Sequence, residues 1–210
     1  MTDDSWRTTL LQHREQKDRF LAADQHSPIP PDQREYFDGL DYFDPEPGLR
    51  FELALEAYDD PETITIGTTT DGERDYLVWG AFEFEIDGET YSLDAYRTTP
   101  EEDRLWVPFR DETNTEETYG AGRYLDLEAA DRTDDGQWVL DFNYAYNPFC
   151  AYSPQYECPL VPMENWLEVR IEAGEMDYEG PESSDGSPAH GHGHRHEHDH
   201  SHDHDHEHTD

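Results

Sequence analysis

Apolar residues near the start of the chain recur at helical spacing, and from Arg50 onward they recur at every second position. Trp6, Leu10, Lys17 and Leu21 fall near one stripe, bordered by Leu11 and Phe20, which predicts an amphipathic helix over 5–22 with Thr2 or Asp3 at its cap. Pro28, Pro30 and Pro31 forbid its continuation. Tyr36, Phe37, Tyr42 and Phe43, set around an Asp38-Gly39 turn, suggest a segment laid across a core.

The two-residue period predicts strands over 50–58, 62–70, 74–86, 89–97, 104–110, 121–127, 136–144 and 166–172. Asp87-Gly88 is a type I′ hairpin signal that sets Phe84 opposite Tyr91 and Phe82 opposite Leu93, all on one face. Asp71-Gly72 and Asp135-Gly136 mark further turns. The expected fold is mainly β: a single antiparallel sandwich or small barrel-like domain with an N-terminal helix, over residues 1–176. Residues 177–189, with Pro181 to Pro188, read as a linker, and 190–210 as a disordered tail.

Charge changes the picture. The chain has 52 Asp and Glu against 14 Lys and Arg, a formal net charge of -38, and Lys17 is its only lysine. Self-repulsion of that size is relieved in molar salt, where the screening length falls to about 3 Å. The composition is similar to that of proteins from salt-accumulating halophiles. It argues against nucleic acid and against anionic membranes as partners, since phosphates demand basic patches. The chain has no run of 18 apolar residues, and Met1-Thr2-Asp3-Asp4 lacks the features of a signal peptide, so a cytoplasmic location is expected.

The tail carries the most overt chemistry. Histidine occupies every even position from 190 to 208: His190, His192, His194, His196, His198, His200, His202, His204, His206 and His208. Imidazoles in a flexible His-x-His run suit Zn, Ni or Cu, so a divalent transition metal is the expected cofactor, with metal ions as partners for storage, buffering or handover. Interleaved Asp and Glu pre-concentrate cations and raise histidine basicity, so protons should displace metal as the pH falls through roughly 6 to 7. A solvated tail with incidental affinity is the plainer alternative.

Two stretches of the globular part hold more special residues than strands require. One runs through Asp111-Glu112-Thr113 and Thr118-Tyr119-Gly120-Ala121-Gly122-Arg123-Tyr124, the other from Asp141 through Asn147-Pro148-Phe149-Cys150-Ala151-Tyr152 to Cys158-Pro159-Leu160. With Phe37-Asp38-Gly39-Leu40-Asp41-Tyr42-Phe43 and Val107-Pro108-Phe109, these blocks resemble the family called domain of unknown function 1684 over most of residues 10–175. The resemblance implies no established activity and no catalytic residues, and the His-rich tail lies outside its pattern.

Read directly, Gly120 and Gly122 let successive N–H groups converge on an anion beside Arg123, a bidentate cation. A small anionic ligand could sit there, lined by Tyr119, Asp141, Asn143, Asn147 and Tyr152, under a Pro-stiffened loop from Asn147 to Pro162; Glu164 and Asn165 are also polar enough to contribute. The bland reading is a β-bulge with Arg123 paired to Asp126 or Asp141. Cys150 and Cys158 are too few for a disulfide scaffold. They could be metal thiolates, a redox pair or a nucleophile, with buried unreactive thiols the simpler account; His13 and His26 are the only histidines before the tail.

Overall fold

The structure is a computed structural model that describes residues 2–180; the tail histidines and the linker beyond Gly180 lie outside the described residues. Helix α1 spans Asp3–Ala23 and buries Trp6, Leu10, Arg14 and Leu21. Thr2 holds the N-cap position, but its hydroxyl meets Ser5 Oγ instead of a backbone N–H. Beyond the helix, Arg34 donates to the carbonyls of Asp24, Ser27 and Ile29, which satisfies acceptors that the neighbouring prolines cannot.

Eight strands follow: β1 (Arg50–Leu53), β2 (Glu56–Ala57), β3 (Thr63–Gly67), β4 (Glu73–Ile86), β5 (Glu89–Arg97), β6 (Leu105–Phe109), β7 (Arg123–Leu127) and β8 (Trp138–Asp141). All pairings between these strands are antiparallel. Strands β2 and β3 both pair with β4, and the six-stranded sheet continues through β5 and β6 to β7; β1 and β8 form a separate two-stranded sheet. No closed barrel forms among the described residues. At the Asp87-Gly88 turn both residues have positive φ, 53° and 84°, and the register sets Phe84 against Tyr91 and Phe82 against Leu93 as the turn residues require.

The expected strand over 50–58 divides, because β1 joins β8 whereas β2 crosses to β4. That crossing needs Gly80: a Cβ there would lie 2.6 Å from the Glu56 carbonyl oxygen. Strand 136–144 ends at Asp141, whose carboxylate accepts from Asn143 N–H and turns Phe142–Tyr144 into a 3₁₀ turn.

The expected strand over 166–172 does not form. Its alternation is real, with Leu167, Ile171 and Ala173 buried. Side chains claim the end of its backbone: Ile171 N–H donates to Asp111 Oδ2 at 2.7 Å, and the Ile171 and Ala173 carbonyls accept from Arg123. Only the 110–112 segment pairs with it through the main chain.

One face of the large sheet packs Phe82, Phe84, Leu93, Leu105, Val107, Phe109, Leu125 and Leu127 against Trp138, Leu140 and Phe142. The other face carries Ile66, Tyr76, Tyr96, Trp106 and Tyr124, covered by Val161. Strand β6 is buried along its whole length because both faces are covered. Pro108 cannot donate to the ladder, and there Asn165 bridges the neighbouring strands: its amide donates to the Asp94 and Pro108 carbonyls and accepts from Asp94 N–H. The chain stays packed past 176, with Tyr178 against Phe37 and Tyr152.

Candidate functional site

The residues singled out around Arg123 do not share one cavity. Arg123 is fully buried on the inner face of β7. Its guanidinium pairs with Asp111 at 3.2 Å, donates to the carbonyls of Ile171, Ala173 and Glu175 and to Thr113 Oγ1, and leaves only Nε without a partner. The ion-pair partner is thus Asp111, not Asp126 or Asp141. Burial lowers the arginine's basicity, and Asp111 counteracts that effect. Gly122 is required by close approach: at φ +100°, a Cβ would lie 2.6 Å from a Val161 methyl and 2.7 Å from the Phe109 carbonyl. Its N–H is taken by the Tyr119 carbonyl.

The other members disperse. Asn143 braces the Glu46 backbone through both ends of its amide and also donates to Asp141. Asn147 N–H and Tyr152 Oη both donate to Glu175 Oε2 at 2.7 Å. Glu175, itself buried, is paired with Lys17, whose ammonium lies over the Tyr146 and Tyr152 rings. Tyr119 Oη reaches Cys150 Sγ at 3.6 Å. Gly120 packs against the Thr115 methyl.

What the fold builds instead is a cleft of about 540 Å³ between α1, β7 and β8. Its walls are Trp6, Leu125, Leu127, Ala130, Val139, Tyr144 and Tyr146, and its polar groups are Thr9, His13, Arg50, Asp126, Asp131 and Asp141. Trp6 Nε1 donates to Asp141 Oδ2 at 2.7 Å, and Arg50 approaches the same oxygen at 3.8 Å. Burial raises the Asp141 carboxyl above its ordinary value, opposed by donors from Asn143 and Trp6. Tyr146 Oη donates to Asp126 Oδ2, also approached by Arg104, whereas Asp126 Oδ1 has no partner. His13 stands at the rim against the Tyr144 edge; desolvation and then Lys17 lower its pKa, so its ring favours the neutral form.

The sequence pattern of a protein family of unknown function, DUF1684, matches residues 35–176. The chain belongs to the DUF1684 family. It is similar to the solution structure of an uncharacterized protein from gene locus rrnAC0354 of Haloarcula marismortui, with 44% identity and a TM-score of 0.64 over 82% of this chain and 95% of that one. No curated protein matches significantly. The DUF1684 match includes the β7 and β8 walls of the cleft but not Trp6, Thr9 and His13, which α1 contributes. Among the described residues, no three His, Cys, Asp or Glu side chains gather as a metal-holding group, and no helix is long and apolar enough to cross a membrane.

Glu175 escaped the sequence reading, although its signal was present. Lys17 sits on the apolar stripe of α1, and a cation there demands a buried anion somewhere in the fold. Trp6, His13, Asp126 and Asp131 carry no such local signal as cleft residues; only the packing of α1 beside β7 and β8 brings them together.

Proposed function

We propose that this domain binds a small organic molecule in the cleft between α1, β7 and β8, with the aromatic walls holding its body and the carboxylates its polar end. The observation that carries the reading is the convergence of Asp126, Asp131, Asp141 and His13 on an apolar-walled space of about 540 Å³, within the range that small ligands fill. Three carboxylates against Arg50, which is itself drawn toward Glu52 and Asp141, and Arg104, which is shared between Asp126 and Glu102, favour an amine-bearing ligand over the anion expected at Arg123.

Nitrogen-15 NMR in molar KCl tests this with two matched fragment panels, aromatic amines and aromatic carboxylates. The amines should shift the Trp6 indole N–H and the amides of Leu125 to Leu127 and Val139. Silence of those signals with both panels overturns the reading, and a response confined to the carboxylates overturns its polarity.

A second activity is favoured by the alternating histidines themselves. The tail from His190 to His208 is proposed to bind divalent transition metal, with Zn, Ni or Cu as candidates. Metal analysis of protein purified without an affinity column, full-length against a chain ending at Pro188, should find metal only in the longer form. Equal metal in both forms, or none in either, rejects it. The acid excess is read as adaptation to molar salt in the cytoplasm of a salt-accumulating cell, a reading supported by the similarity to a Haloarcula protein.

A further inference from the structure

Cys150 and Cys158 are both free, and they meet at one end of the loop that covers the outer sheet face. The Cys150 main-chain N–H donates to Cys158 Sγ at 3.4 Å, which sets the Cys158 sulfur against the Cys150 backbone. Tyr119 Oη donates to Cys150 Sγ at 3.6 Å. Both ends of the loop are held by other contacts. Cys158 is strapped to the end of β3 through Thr69, whose hydroxyl accepts from Cys158 N–H and whose N–H donates to the Cys158 carbonyl, while Leu160 N–H donates to the Gly67 carbonyl. On the other side, Asn147 and Tyr152 anchor the Phe149–Ala151 turn to Glu175.

We propose that Cys150 and Cys158 are a peroxide-reactive dithiol, with the partly exposed Cys150 as the attacking sulfur and the buried Cys158 as the resolving one. The Cys150 thiolate attacks one oxygen of a hydroperoxide, the O–O bond breaks, and the departing oxygen takes a proton and leaves as water or an alcohol. Sulfur has then lost two electrons to the peroxide and stands as a sulfenic acid. Cys158 sulfur attacks it, the S–S bond forms as the S–O bond breaks, and the hydroxide leaves with the Cys158 proton as water.

The two thiols divide the labour through their environments. The neighbouring Cys158 side chain is the largest influence lowering the Cys150 thiol below its ordinary range, against the effect of burial, and Tyr119 and Thr69 add to it. Cys158 is pushed the other way by Cys150 and by burial, so it keeps its proton until it resolves the sulfenic acid. The product is a covalent staple between the Phe149–Ala151 turn and the segment held on β3. This chemistry is independent of the cleft.

The test uses the full chain, reduced, freed of reductant and titrated with hydrogen peroxide in molar KCl. Peptide mapping under non-reducing conditions should find one Cys150–Cys158 disulfide per chain, reversed by dithiothreitol. It should form about tenfold or more faster than in the urea-unfolded chain, because the fold raises the thiolate fraction of Cys150. In Cys158→Ser, dimedone should trap a sulfenic acid at Cys150, and in Cys150→Ser none should form at Cys158. Native oxidation no faster than that of the unfolded chain, disulfides only between chains, or trapping at Cys158 instead of Cys150 would each overturn the proposal.

Discussion

Replacing Arg123 by Met removes the cation from a buried polar cluster while retaining part of its packing volume. Arg123 and Asp111 are both fully buried, 3.2 Å apart, and the guanidinium also serves the Ile171, Ala173 and Glu175 carbonyls. Removing one partner of a buried ion pair costs about 3–5 kcal/mol, because the other charge stays in low dielectric. Buried carbonyls left without donors cost about 1–3 kcal/mol each unless water enters, so about 4 kcal/mol is a lower bound on the loss.

Set against a typical domain stability of about 5–15 kcal/mol, that leaves a marginal fold. With a urea dependence of about 2 kcal/mol per molar, the midpoint should fall by about 2 M, read by tryptophan fluorescence in molar KCl. Asp111→Asn should also destabilise, and the double variant should cost less than the sum, since the second change removes the charge stranded by the first. A midpoint shift below about 0.5 M for Arg123→Met would refute a structural role, for then the guanidinium contributes little to the fold and is free for another task.

Four further outcomes are expected. Gly122→Ala should cost about 2 kcal/mol or more in urea unfolding, since strain at φ +100° adds to contacts of 2.6 and 2.7 Å, whereas Gly88→Ala, with open space around it, should cost only about 1 kcal/mol; equal losses would show that crowding at Gly122 relaxes freely. Raising KCl from about 0.1 M to about 1 M shrinks the screening length from about 10 Å to about 3 Å, so the thermal midpoint should rise; a flat or falling midpoint contradicts self-repulsion at a net charge of -38. Asp141 has a folded pKa above its unfolded value, so its contribution to stability is present below the unfolded value and lost as pH rises through the folded one. The stability of the wild type relative to Asp141→Asn should therefore decline as pH rises above the unfolded carboxylate value of about 4, and a difference that grows with pH reverses the sign. Trp6→Phe should weaken fragment binding in the cleft while costing only the indole hydrogen bond, about 1–3 kcal/mol, and unchanged affinity would remove Trp6 from the site.

Local rules sufficed where local chemistry decides. The stripe of α1, the Asp87-Gly88 turn and the register that joins Phe84 to Tyr91 were legible because helix faces and type I′ turns depend on neighbours a few residues apart. Membership of the DUF1684 family was legible for the same reason, in contiguous motifs such as Thr118 to Tyr124. Periodicity was insufficient at 166–172, because alternation specifies which side chains face inward but not what satisfies the backbone; there Asp111 and Arg123 take both polar groups of Ile171. It was insufficient again at 50–58, where one alternating run serves two sheets.

Composition alone determined the acidity of the chain and the histidine-rich character of its tail, since neither depends on how the backbone is arranged. The fate of each polar residue was a tertiary matter. Arg123 reads as an available cation until five acceptors from two segments, 111–113 and 171–175, enclose it. Cys150 and Cys158 read as anything from inert buried thiols to a redox pair until the loop closes on itself and brings Cys158 Sγ to the Cys150 N–H. The cleft depends on long-range contact in the same way, because Trp6 and Asp141 are 135 residues apart in sequence and only packing of α1 joins them. A sequence states which groups are present and which face each takes within its element; which of them keep a free valence depends on long-range packing that desolvates some polar groups, partners others and leaves a few open.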